Sequence, residues 1–115
     1  MVLVVEDEPL QRMNMADLLE EAGYHAIEAG NAKQAMLLLE SRSDVRIIVS
    51  DIDMPPGING MELVEIVRAK WPPIALVLLS GNVDRADVRL PEGGVFLGKP
   101  YRPAELIDTL KRLAA

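Results

Sequence analysis

Apolar positions follow two alternating rhythms along the chain. Val2-Leu3-Val4-Val5 is short, β-branched and unbroken, the pattern of a strand buried on both faces. Pro9 then stands where a helix can open. Leu10, Met13, Ala16 and Leu19 recur at helical spacing, and Gly23 closes the segment. His25 to Ala29 reads as a weaker strand. Asn31 with Gln34 three residues on reads as a capping box, opening a helix that carries Ala35, Met36, Leu38 and Leu39. Arg46 to Ser50 is the third strand. Pro55, Pro56, Gly57 and Gly60 make a loop, and Leu63, Val64 and Val67 stripe a helix that stops at Trp71-Pro72-Pro73. Ile74 to Leu79 is the fourth strand and Val95 to Gly98 the fifth. Between them Asn82 to Arg89 predicts a short helix, closed by Pro91, Gly93 and Gly94. Pro103 opens the last helix, with Leu106, Ile107, Leu110 and Leu113 facing inward. Strand alternating with helix predicts an α/β fold, a parallel sheet with helices on both faces.

Composition narrows the functional classes. A chain of 115 residues fits one domain, spanning residues 1–115, and 50% apolar residues can fill its core. Twelve basic against eighteen acidic side chains leave a net charge of −6, which argues against direct nucleic-acid binding. Without Cys there is no disulfide framework, thiolate nucleophile or Cys-ligated zinc, and the single His25 allows no His cluster. No apolar stretch approaches a membrane span and no signal peptide is visible, so the expectation is a cytoplasmic protein, stand-alone or cut from a longer one. Of the six Met residues, Met13, Met15 and Met36 are expected in the core. Tyr24 and Trp71 are expected to pack at element ends.

The chemistry gathers where the strands end. In open α/β sheets ligands sit beyond the carboxyl ends of the strands, where strand order reverses. Glu6, Asp7 and Glu8 follow the first strand, and Asp51 and then Asp53 the third. Ser80, Gly81 and Asn82 follow the fourth, and Lys99 and Pro100 the fifth. Crowded carboxylates repel one another, and a hard divalent cation with oxygen ligands relieves this. Asp7 and Asp51 can give two such oxygens and the carbonyl near Asp53 a third. Lys99 and Ser80 can hold phosphoryl oxygens, and an Asp so placed can be the nucleophile. Glu8 reads as a capping acid. Tyr101, near the same rim, is a candidate partner contact.

The pieces Val2-Leu3-Val4-Val5-Glu6-Asp7-Glu8-Pro9, Ser50-Asp51-Ile52-Asp53-Met54-Pro55, Gly60-Met61-Glu62-Leu63, Leu79-Ser80-Gly81 and Gly98-Lys99-Pro100-Tyr101 resemble, in order, the receiver domain of bacterial two-component response regulators. The resemblance implies a flavodoxin-like (CheY-like) doubly wound five-stranded parallel sheet of order 2-1-3-4-5. It implies a phosphoacceptor switch: Asp51 takes a phosphoryl group from a histidine kinase or histidine phosphotransfer protein, and output runs through protein contacts. Glu6, Asp7, Asp51 and the Asp53 carbonyl would hold Mg²⁺, with Mn²⁺ as a substitute. Ser80 and Lys99 would hold the transferred group, with Pro100 in the place of a Pro that is often cis. Phe96 would be the switch aromatic, and Asp53 and Asn82 would tune dephosphorylation. The domain would assist its own phosphorylation and dephosphorylation without being an enzyme in the turnover sense.

Three features depart from the family pattern: a loop between Pro55 and Gly60 one residue longer than usual, with Pro56-Gly57 inserted, Phe96 in place of a frequent Tyr, and a shortened segment from Ser80 to Lys99. Other readings compete. Asp51-Ile52-Asp53 resembles the Asp-x-Asp of haloacid-dehalogenase-type phosphatases, but Met54-Pro55 follows it. A flavodoxin-like nucleotide site would need an anion loop where Glu6-Asp7-Glu8-Pro9 stands. An unphosphorylated docking module is the third alternative.

Overall fold

The computed structural model describes residues 1–51, 60–80, 94–98 and 101–114. In chain order these form β1 (Val2–Val5), α1 (Pro9–Glu21), β2 (Ala26–Ala29), α2 (Ala32–Ser41), β3 (Ile47–Asp51), α3 (Gly60–Lys70), β4 (Ala75–Ser80), β5 (Gly94–Gly98) and α4 (Pro103–Ala114). The expected short helix at 82–89 and the loop at 55–59 lie outside the described residues.

All five strands are parallel, in the order β2-β1-β3-β4-β5. Alternate residues of each strand feed the two faces. Leu3, Val5, Ile48, Leu76 and Leu78 pack with Ala32, Ala35 and Leu39 of α2 and Leu63 and Val67 of α3. Val2, Val4, Ile47, Val49, Val77 and Leu79 pack with Met15 and Leu19 of α1 and Leu106 and Leu110 of α4. Both faces of the central strands are therefore covered, which explains why their sequences run apolar without alternation.

Local chemistry sets the helix ends. Glu8 caps α1, its Oε2 accepting from the Gln11 N–H at 2.7 Å, and Pro9 fills the first turn. Gly23 adopts φ +98°, and the Gly23 and Tyr24 N–H groups return to the Glu20 and Leu19 carbonyls at 3.0 Å each. This is the left-handed exit that favours glycine. Asn31 caps α2 by accepting from the Gln34 N–H at 2.8 Å, and Gln34 reaches back to the Gly30 N–H at 2.7 Å. The box is real, but its return bond lands one residue earlier than the standard arrangement.

Several expectations are corrected. Leu10 and Met13 are 63% and 54% exposed, and the buried stripe of α1 is Met15, Ala16 and Leu19. Apolar residues stand on several sides of this helix, so spacing alone did not select the packed face. β3 and β4 each run one residue further than expected, ending on Asp51 and Ser80, because each ladder continues past the last apolar residue. His25 is exposed and precedes β2, its carbonyl accepting from the Val2 N–H at 2.7 Å. Tyr24 and Trp71 pack against the two cores at element ends, as expected.

The orientation of α1 is testable by urea unfolding. Leu19→Ala removes a fully buried side chain and is expected to cost about 2–5 kcal/mol, whereas Leu10→Ala is expected to stay within about 0.5 kcal/mol. Equal costs would mean that α1 presents a different face.

Candidate functional site

The sheet register puts the acids together. Val5 pairs with Ser50 of β3, so the residue after β1 falls beside the last residue of β3. Glu6 is 7% exposed and Asp51 5%, while Asp7 is exposed. One carboxylate oxygen from each of Glu6, Asp7 and Asp51 lies within 4.8 Å of the others. The site thus has a buried floor of two acids and a solvent-facing third.

Backbone bonds hold this floor. The Glu6 N–H donates to the Ala29 carbonyl at 3.1 Å, which ties the turn to β2. The Glu6 carboxylate accepts from the Glu8 N–H at 3.2 Å. The Ser50 hydroxyl, fully buried, donates to the Asp51 carbonyl at 3.1 Å. Arg12 also enters the site's surroundings, a residue the sequence reading did not single out. Its Nη1 donates to the Glu6 carbonyl at 3.0 Å and its Nε to Glu28 Oε1 at 3.3 Å. One signal in the sequence pointed to it: a cation in the first turn of a helix opposes the macrodipole, so its position asks for another partner.

The remaining expected residues distribute as follows. Asp51 pairs with Leu79, and Ser80 with Gly98, so the backbones of Ser80 and of the residue before Lys99 reach the same rim. The side chain of Ser80, and Asp53, Asn82, Lys99 and Pro100, lie outside what the structure describes. Phe96 is half-buried, pairs with Leu78 in the sheet and packs on the α2/α3 face. Tyr101 is half-buried on the opposite face, where its hydroxyl donates to Met15 Sδ at 3.6 Å. Beside Glu6 a cavity of about 620 Å³ opens between α1 and the start of α4, lined by Met15, Leu18, Val49, Leu79 and Tyr101 among others. Among the described residues no helix is long and apolar enough to cross a membrane.

Comparison with known proteins agrees with this geometry. Residues 2–111 match the response regulator receiver domain family. The response regulator protein FleR of Pseudomonas aeruginosa is 32% identical over 98% of this chain, which spans 24% of FleR. The response regulator TrrA of Thermotoga maritima, solved in complex with Mg²⁺-BeF, superposes with a TM-score of 0.87 at 29% identity, covering 97% of this chain and 96% of that one. The receiver domain of the hybrid histidine kinase CckA superposes with a TM-score of 0.82 at 28% identity, covering 99% and 98%. A matching family over nearly the whole length, a sheet of order 2-1-3-4-5 and acids meeting at the ends of β1 and β3 have one explanation: the chain belongs to the response regulator receiver domains, the phosphoacceptor modules of two-component signalling.

Proposed function

We propose that Asp51 is the phosphoacceptor of this chain and that a histidine kinase or histidine phosphotransfer protein is its donor. The observation that carries the assignment is the meeting of Glu6, Asp7 and Asp51 within 4.8 Å at the ends of two adjacent parallel strands. Of the three, Asp51 is both buried and fixed at the end of a strand paired on both sides, so its oxygen can be aimed. In the step, an Asp51 carboxylate oxygen attacks phosphorus and the P–N bond of the donor phosphohistidine breaks. The imidazole nitrogen leaves with the bonding pair and takes up a proton. The product is an acyl phosphate on Asp51.

Mg²⁺ fits the donor set. The cluster offers hard oxygen ligands without nitrogen or sulfur, and its acids repel one another. Like charges brought within 4.8 Å of one another favour a cation between them. When bound, Mg²⁺ neutralises this charge and that of the incoming phosphoryl oxygens. Glu6, Asp7, Asp51 and the carbonyl of Asp53 would hold it. Ser80 and Lys99 would take the transferred group's oxygens, and Phe96 and the segment before it would carry the change outward. The acid cluster opens beside the first turn of α1, where exposed Leu10 and Met13 offer the donor an apolar foothold. The reading makes residues 1–115 one receiver domain acting in the cytoplasm, where kinases meet ATP. Asp53, Asn82 and Tyr101 keep the tuning and partner roles that the family resemblance and their positions suggest.

Three outcomes are expected. After incubation with acetyl phosphate and Mg²⁺, intact mass shows one added phosphoryl group on the parent chain and none on Asp51→Asn; equal labelling of the two would overturn the assignment. In EDTA, the melting midpoints of the parent and of Asp51→Asn serve as metal-free references. Added Mg²⁺ then raises the parent's midpoint more than the variant's. Finally, Met13→Asp slows transfer from a phosphohistidine protein at least tenfold and leaves labelling by acetyl phosphate unchanged. Equal slowing of both would place Met13 outside the donor surface.

A further inference from the structure

The Glu6 carbonyl belongs to the peptide unit that joins Glu6 to Asp7, so whatever fixes that carbonyl fixes where Asp7 starts. Arg12 does so from the first turn of α1. Helical side chains lean toward the helix N-terminus, which sends this guanidinium back over the turn after β1. There Nη1 donates to the Glu6 carbonyl at 3.0 Å, while Nε is held at 3.3 Å by Glu28 of β2. On the other side of the same residue the Glu6 N–H is bonded to Ala29. The peptide group between the two acids is thus clamped from α1, and the residue before it from β2. Gly30 leaves the space: a Cβ there would lie 3.1 Å from Arg12 Nη1 and 3.4 Å from Gln34 Oε1.

The direction of the charge is as informative as the distance. Arg12 addresses the Glu6 backbone carbonyl with one nitrogen and the Glu28 carboxylate with another. Both ends of the Arg12–Glu28 pair are partly solvated, so the pair adds little to stability by itself. A contact that yields little stability is understandable if its use is geometric.

We propose that Arg12, anchored by Glu28, is a positioning residue for the Glu6–Asp7 metal-binding turn, setting its Mg²⁺ affinity through the Glu6 carbonyl. The proposal rests on the reading of Glu6, Asp7 and Asp51 as a Mg²⁺ site. Positioning and simple charge make opposite predictions. If Arg12 acted only as a nearby positive charge, removing it would tighten Mg²⁺ binding. If it positions the turn, removing it weakens binding, as loss of outer contacts around a metal does, by about tenfold.

The test is calorimetric titration of Mg²⁺ into the parent chain, Arg12→Met and Arg12→Lys, with melting in EDTA as a check on folding. Arg12→Met keeps an apolar stem and removes the donors. Arg12→Lys restores one donor and the charge. The expected result is a Kd for Mg²⁺ raised about tenfold in Arg12→Met and partly recovered in Arg12→Lys, with both variants melting within a few degrees of the parent. An unchanged or lower Kd in a folded Arg12→Met would overturn the proposal. So would a Kd in Arg12→Lys that is no better than in Arg12→Met. Failure of the parent itself to bind Mg²⁺ would instead overturn the underlying metal-site reading, so the two failures are distinguishable.

Discussion

The structure turns on a like-charge constraint: three carboxylates are held within 4.8 Å of one another, two of them buried. No isolated loop would keep that arrangement, because the acids would separate into solvent. It persists because β1 and β3 are adjacent parallel strands in a sheet covered on both faces, and their register leaves Glu6 beside Asp51. Strand pairing, set by Val2 to Val5 against Ile47 to Ser50, overrides electrostatic preference at the strand ends. On the proposed reading, this crowding of acids is the property that would make the site receptive to a divalent cation and, with it, to a phosphoryl group.

Much of the surrounding structure restrains this strained corner. Glu8 both caps α1 and donates its backbone N–H to the Glu6 carboxylate, so the helix start and the acidic turn are one unit. Ala29 at the end of β2 holds the Glu6 N–H, and Gly30 immediately after it makes room for Arg12 and Gln34. The Asn31 cap of α2 follows directly. Three successive residues at the exit of β2 therefore serve the acidic turn, its Arg12 clamp and the next helix. Among the described residues, the hydrogen bonds around the acids engage the backbone groups of Glu6, Glu8, Ala29 and Asp51.

The fold was legible because burial on both faces writes unbroken apolar runs into β1, β3 and β4, and because Pro9, Gly23 and Asn31 mark helix ends by their own chemistry. The acidic site was legible for a related reason: Glu6, Asp7 and Asp51 stand where those runs stop. Three features were not. The packed face of α1 was hidden because Leu10 and Met13 share its helical spacing with residues that are truly buried. The ends of β3 and β4 were hidden because apolarity reports burial of side chains, whereas the ladder also carries Asp51 and Ser80. Arg12 escaped notice because its partners, Glu6 and Glu28, are brought to it by the tertiary fold rather than by sequence spacing.

The central claim concerns which oxygen receives the phosphoryl group, and it can be read directly. Borohydride reduction of the phosphorylated chain converts an aspartyl phosphate to homoserine with loss of phosphate, and peptide mass spectrometry then locates that homoserine. Homoserine at position 51 is the result this account predicts. Homoserine at position 7 or 53, or none in a chain whose intact mass had shown a phosphoryl group, would contradict it.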